Sequence, residues 1–479
     1  MNFVDMILMH GRLIPHHPAI VTVNRVVTYG TLAQGILKAE EFLRQKGVRK
    51  GQLIGVTHLD PARHFVALCA LYRLGAPSLS LRRADLARAA DYKCAAVVCE
   101  ELDATQAIKQ IAFGGSAFAG ADVNLAAAPP CAMQKNDPAL IILSSGSTGR
   151  PKGIWFTAGD LEERNRGYMA RTTGTPWSRM LSPLGFATNF GFSFAVTTFW
   201  LGHALFLPGT VEEAMHLTSI YKIDTMVMSP TQLIEFTDEF AKRPVAASQI
   251  MAIHVGGSIL TRNMLAHVQS TLGHNVICAY GSTEAGTVAF APAAQLPAID
   301  GASGYVTPWS TVQICDSDDK VLNADDVGIV RIKSAGQGKT YDPAQPFAPV
   351  EEDWFYPGDL GKLTRQGLLV ITGRASELIN LGGVKVAPDV IEDLFHQIPG
   401  VAEVGALSVE GAHGISELWV GVTLSGKTST AQLRAAFEKA HPQYPLSRIE
   451  SFVAVPKTET GKIDRIALKA MLINKRSLN

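Results

Sequence analysis

Four hydroxyls and two glycines crowd into six residues between an apolar run and a lysine. Leu140, Ile141, Ile142 and Leu143 lead into Ser144, Ser145, Gly146, Ser147, Thr148 and Gly149, followed by Arg150, Pro151 and Lys152. The glycines let backbone N–H groups turn inward and the hydroxyls add donors beside them, making a concave surface suited to anionic oxygens. Lys152 adds the positive charge that a polyphosphate needs. A Walker loop is excluded, because that motif sets its lysine directly after the second glycine and before Ser or Thr. The nearest look-alike, Gly338-Lys339-Thr340, has Lys333 where the first glycine should stand.

Further stretches carry the same flavour of chemistry. Tyr280-Gly281-Ser282-Thr283-Glu284-Ala285-Gly286 offers an aromatic ring for a purine, a glycine for close backbone approach, and two side-chain oxygens. Oxygen ligands suit Mg²⁺, which is held by few carboxylates together with substrate phosphates. In Trp354-Phe355-Tyr356-Pro357-Gly358-Asp359 a carboxylate sits on a Gly turn, where it can accept both hydroxyls of a ribose; a satisfied turn aspartate is the alternative. Pro456-Lys457-Thr458-Glu459-Thr460-Gly461-Lys462 places two lysines in a turn near the C-terminus.

These stretches need elements to hold them. Residues 19–24 and 26–29 read as a hairpin, 31–45 as an amphipathic helix capped by Thr31, 53–57 and 95–99 as strands and 62–74 as a helix. The alternation resumes after the hydroxyl-rich loop: helix 212–221, strand 225–228, a helix opening at Ser229-Pro230, strand 251–255, helix 261–272 and strand 276–279. Alternating strands and helices imply a parallel sheet with helices on both faces. Two successive strands run into Gly-rich turns, Gly256-Gly257-Ser258 and Tyr280–Gly286, as a ligand crevice at the carboxyl ends of such a sheet requires. From about 300 to 372 the texture turns to short strands and turns, a β-rich subdomain. The last hundred residues read helix 389–397, strands 404–409 and 418–424, helix 431–439, strand 452–455 and helix 464–472, a compact α+β module.

Composition closes several other avenues. Lys+Arg and Asp+Glu are both 43, and no basic stripe marks a nucleic-acid surface. Six cysteines form no Cys-x-x-Cys pair, so buried free thiols in a reducing, cytoplasmic setting are expected. The N-terminus carries Asp5 within its apolar run and no cationic lead, which argues against a signal peptide. Residues 180–211 contain no charge, yet Gly, Thr, Asn, Ser and His interrupt them; a buried helix followed by a buried strand is expected, not a membrane span.

Strand-SSGSTGRPKG resembles the phosphate loop of the acyl-adenylate-forming superfamily: acyl-CoA and aryl-CoA synthetases, peptide-synthetase adenylation domains and firefly-type luciferases. The other family motifs follow in order. The resemblance implies an α/β fold with an N-terminal AMP-binding domain over 1–374, including the β-rich subdomain, and a small mobile α+β C-terminal domain over 375–479. It implies activation of a carboxylic acid by ATP and Mg²⁺, then transfer to the thiol of CoA. A carrier-protein phosphopantetheine is the alternative acceptor, and a non-catalytic nucleotide- or acyl-binding member the alternative of another class. By resemblance Ser144, Ser145, Gly146, Ser147, Thr148, Gly149 and Lys152 hold phosphates, and Gly256, Gly257 and Ser258 line adenine and the acyl pocket. Tyr280 and Gly281 face adenine, Thr283 meets the α-phosphate and Glu284 holds magnesium. Asp359 and Arg374 reach the ribose, and Lys462 bridges carboxylate and α-phosphate. Ser376 stands at the hinge, where the family often has Asp or Lys, and Gly382 and Gly383 match the thiol tunnel.

Peptide-synthetase domains place an Asp in the acyl-pocket helix to pair with an ammonium. The stretch Pro183 to Ser193 contains no acidic residue, and a buried ammonium without a partner is costly, so amino acids are disfavoured. Phe186 or Thr188 replaces the family's usual gate residue, and with Asn189, Phe190, Gly256 and Tyr280 it is expected to line an apolar pocket for a fatty or aryl acid.

Overall fold

The computed structural model describes residues 2–476 except 58–59, 82, 104, 106, 145–151, 173–176, 246–249, 259, 261, 274, 298, 300, 349–353, 375–378, 382–383, 387, 411–415, 427 and 458–462. Among the described residues the strands form four sheets, of thirteen, seven, two and three strands. The thirteen-stranded sheet is parallel through Arg179–Leu181, Ala204–Phe206, Thr225–Met228, Ala252–Val255 and Val276–Ser282. It continues antiparallel from Gly286–Pro292 through Ala302–Val306 to Leu368–Arg374, Asp359–Leu363, Gly328–Ser334 and Ser310–Cys315. The β-rich stretch is therefore the antiparallel end of the large sheet, with its own apolar cluster around Val288, Val330, Ile332 and Leu369.

The seven-stranded sheet is built around Ile54–Thr57 and Ser78–Ser80, continues into the antiparallel pair Pro138–Ser144 and Lys152–Thr157, and ends at Lys339–Thr340. Helices Phe3–Leu13, Tyr29–Gln45, Pro61–Leu74 and Asn189–Trp200 share one apolar cluster with the two sheets. Its members include Ile54, Ile142 and Phe156 from one sheet and Ile20, Leu205 and Val227 from the other, so these helices are packed between them. Helices Val211–Tyr221, Pro230–Lys242 and Arg262–Leu272 cover the opposite face of the large sheet. Clusters made of residues 379 and beyond form separate cores.

The charge-free run 180–211 does fold as a buried helix and a buried strand, and no helix among the described residues is long and apolar enough to cross a membrane. Sequence reading and structure part at a few ends. Thr28, not Thr31, caps the second helix, its hydroxyl accepting from the Thr31 amide. The strand expected at 452–455 is instead Leu446–Ser451, which pairs in parallel with Ser416–Leu424. Tyr280 and Gly281 belong to a strand rather than to the turn that follows it, because Gly286–Pro292 folds straight back along them.

Candidate active site

The hydroxyl-rich loop is a hairpin connection. Ser144 and Lys152 face each other across the antiparallel pair, and the Ser144 hydroxyl donates to the Lys152 carbonyl at 3.3 Å. Residues 145–149 lie outside the described residues, as do Lys462, Ser376, Gly382 and Gly383. Ser144 and Lys152 therefore fix where the loop leaves and re-enters the sheet.

Tyr280 and Gly281 lie in the strand Val276–Ser282, whose return strand starts at Gly286. A Cβ on Gly281 would sit 2.0 Å from the Gly286 carbonyl oxygen, so only glycine permits this approach. Between the strands, the turn 283–285 is held by its backbone. The Gly338 amide donates to the Glu284 carbonyl at 2.8 Å, and the Ala285 amide to the Ser282 hydroxyl at 3.0 Å. The Thr283 hydroxyl and Glu284 carboxylate are half-exposed and make no hydrogen bond among the described residues. Among the described residues these groups are uncommitted, which fits a divalent cation held by one carboxylate and phosphate oxygens.

Asp359 is a direct cross-strand partner of Arg374. Its carboxylate takes the Tyr280 hydroxyl at 2.5 Å and lies 3.4 Å from Arg374 Nε. Burial, then the neighbouring carboxylate, push the Tyr280 hydroxyl well above its ordinary pKa, so it stays a donor at any physiological pH. Gly257 follows at the end of Ala252–Val255 with φ +96°, beside Gly256 and Ser258. A Cβ on Gly256 would meet Phe190 at 3.1 Å, which brings the acyl-pocket helix against this turn. Asn189 accepts from Arg164 at 2.7 Å and Thr188 caps the helix Asn189–Trp200. Phe186 is buried and stacked on Phe65 with ring centroids 4.8 Å apart.

The helix Ala158–Thr172 escaped the sequence reading, because AGDLEERNRGYMART looks like a solvated segment. It buries Leu161, Arg164, Asn165, Tyr168 and Arg171, a helical face made largely of polar groups. Arg164 ties the site together: Nε donates to Gly336 O at 2.7 Å, Nη1 to Asn189, and Nη2 to Thr283 O at 2.9 Å and to Glu284 O. Its guanidinium also lies 4.2 Å over the Phe156 ring. Next to Gly338, the strand Lys339–Thr340 pairs with Lys152–Thr157. Backbone contacts thus run from the strand Lys152–Thr157 through Lys339–Thr340 and Gly338 to the Glu284 turn, and the Tyr280 hydroxyl links the strand before that turn to Asp359.

A family model described as AMP-binding enzyme matches residues 11–342. The chain belongs to that family. Its acyl-adenylate-forming membership, and the acyl- or aryl-CoA synthetase-like character read from the motifs, are shown by this match together with the relatives. Over 512 residues the chain is 24% identical to a 3-hydroxybenzoate–CoA ligase of Aromatoleum sp., covering 95% of this chain and 93% of that one. It is 26% identical over 354 residues to a luciferin 4-monooxygenase of Photuris pensylvanica, spanning 71% of this AMP-binding chain but 65% of the monooxygenase. Its fold matches an o-succinylbenzoate CoA synthetase of Bacillus subtilis in complex with AMP, at a TM-score of 0.84 and 20% identity, covering 97% and 98% of the two chains. A structure of the same synthetase with ATP and a magnesium ion superposes at 0.83.

Proposed function

We propose that this AMP-binding enzyme joins a carboxylic acid to ATP and then passes the acyl group to the thiol of CoA. One acid oxygen bonds to the α-phosphorus as the bond from that phosphorus to the β-phosphate oxygen breaks, releasing pyrophosphate. The thiolate sulfur then bonds to the acyl carbon, and AMP leaves with the electron pair of the broken acyl–oxygen bond of the mixed anhydride. The observation that carries this reading is the Tyr280–Asp359–Arg374 cluster directly before a turn whose Thr283 and Glu284 oxygens are uncommitted.

Bringing a carboxylate to a phosphate sets two anions together, so donors must be fixed beforehand. Arg164 holds the Thr283–Glu284 backbone in place, and Asp359 fixes Tyr280 and presents a carboxylate edge to ribose hydroxyls. Ser144 to Gly149, with Lys152, cradle the β- and γ-phosphates. Lys462 reaches the acid and the α-phosphate, and the chain from residue 375 onward moves as a lid about Arg374–Ser376, bringing Gly382 and Gly383 to the thiol path. A magnesium ion at Glu284 supplies charge neutralisation on the phosphate oxygens. Gly256, Gly257, Ser258, Asn189 and Phe190 line the acyl side.

The test is ATP–pyrophosphate exchange across a panel of carboxylic acids, followed by CoA or a phosphopantetheinylated carrier protein as acceptor. Exchange should depend on the acid, and Lys462→Ala should lower it by about a hundred- to a thousandfold while ATP still binds. Exchange at wild-type rate in that variant removes Lys462 from the chemistry. No exchange with any acid removes the activity.

A further inference from the structure

Three arginines are buried in the described part of this chain: Arg73, Arg164 and Arg171. Arg73 is paired with Glu40 at 2.6 Å, and Arg164 is surrounded by oxygens. Arg171 differs. It is 6% exposed, yet no carboxylate among the described residues lies within ion-pair distance of it. Nη1 donates to the Thr287 hydroxyl at 3.2 Å and Nη2 lies 3.2 Å from His254 Nδ1. Nε is buried with no acceptor among the described residues. Around the guanidinium stand the rings of Phe190, Phe194 and Phe290, at 5.7, 5.2 and 5.3 Å.

Burial lowers the Arg171 pKa only to about 10, so the cation persists at neutral pH. A buried charge held by two neutral acceptors is costly, and a guanidinium's natural complement is a carboxylate taken by two parallel N–H bonds. The location says where such a carboxylate would come from. His254 lies on the strand Ala252–Val255, two residues before Gly256, which follows the strand's end, so about 6–7 Å of chain separates them. Phe190, which touches the Gly256 position, is one of the three rings around Arg171. Arg171 thus lies against the strand that leads into the turn assigned to the acyl side and beside the Phe190 ring that abuts that turn.

We propose that Arg171 is the floor of the acyl pocket and binds a second carboxylate of the substrate, so that the acid this chain activates is a dicarboxylic acid with an apolar alkyl or aryl spacer. This rests on the acid-activation reading above. The phenylalanines contact the spacer, and Thr287 and His254 hold the guanidinium flat while Nε and one Nη face the incoming carboxylate. A plain fatty or aryl tail would seal the cation in without a partner.

The experiment compares matched pairs, hexanoate with adipate and benzoate with isophthalate and terephthalate, by pyrophosphate exchange and, separately, by calorimetric binding with a non-hydrolysable ATP analogue. Wild type and the Arg171→Met and Arg171→Lys variants are used, each checked for cooperative melting. Wild type should favour at least one dicarboxylate over its monocarboxylate. Arg171→Met should cut that ratio about 30-fold or more, with Arg171→Lys between the two. Arg171-dependent dicarboxylate binding without exchange would uphold the inference and sink the activation reading. Exchange that favours the monocarboxylate of every pair, or a ratio unmoved by Arg171→Met in a folded protein, overturns the inference and leaves activation standing. If Arg171→Met does not fold, the wild-type preference and the Arg171→Lys ratio decide in the same way.

Discussion

Arg164 and Arg171 leave the same face of one helix, seven residues apart, and both are buried among aromatic rings. Their surroundings are opposite in kind. At the Arg164 end the guanidinium meets three backbone carbonyls and an amide oxygen, so its donors are spent on the protein. At the Arg171 end it meets one hydroxyl and one imidazole nitrogen, and Nε has no acceptor among the described residues. A buried cation that is fully hydrogen-bonded serves the fold, because removing it strands the oxygens it satisfied. A buried cation left short of acceptors costs the fold. One end of the helix therefore holds the 283–285 turn, and the other carries the charge to which the proposal assigns a ligand.

The sharpest way to break that contrast is to replace each arginine by methionine and compare thermal stability. Arg164→Met strands the carbonyls of Thr283 and Gly336 and the Asn189 amide, and should cost roughly 3 kcal/mol or more. Exchange activity should fall with it, since the Thr283–Glu284 turn loses its anchor. Arg171→Met exchanges an under-satisfied charge for an apolar side chain of similar length among three rings, and should change stability by no more than about 1 kcal/mol in either direction. Equal losses in the two variants would mean that both arginines are structural and that the contrast is false.

The residues of the proposed nucleotide site could be named from the sequence because they sit in short contiguous motifs. Tyr280, Thr283, Glu284 and Asp359 can be picked out by type and spacing, and Tyr280 and Asp359 do meet. The strand-and-helix alternation was legible for the same local reason, through apolar periodicity. Arg164 and Arg171 were not. Nothing in RNRGYMART distinguishes an arginine that reaches carbonyls 119, 120 and 172 residues away from one that points into water. The one available signal is their seven-residue spacing, which puts both on the face that also carries Leu161 and Tyr168. The continuous large sheet was hidden as well, since the join between Val276–Ser282 and the β-rich strands is a matter of pairing, not of composition.

The smallest effect sharpens the contrast from the Arg171 side. His254 packs beside Phe194 and receives an Arg171 N–H; burial first, and the Arg171 charge second, hold its pKa well below the ordinary 6.5. Since the unfolded chain takes up this proton at higher pH than the folded one, the neutral imidazole contributes stability that is complete above about pH 6.5. That contribution is lost as pH falls below that value, by about 1.4 kcal/mol for each unit. His203 and His396 are lowered too, so the His254 share is the difference in pH slope between wild type and His254→Gln. A carboxylate bound on Arg171 cancels the part of the shift due to its charge and leaves the part due to burial. Saturating dicarboxylate should therefore move the His254 imidazole titration to higher pH in wild type, as read by NMR. It should not do so in Arg171→Met, where the charge that couples the two groups is gone. A His254 titration that dicarboxylate leaves untouched in wild type would place the ligand away from Arg171, and both ends of the helix would then be scaffolding.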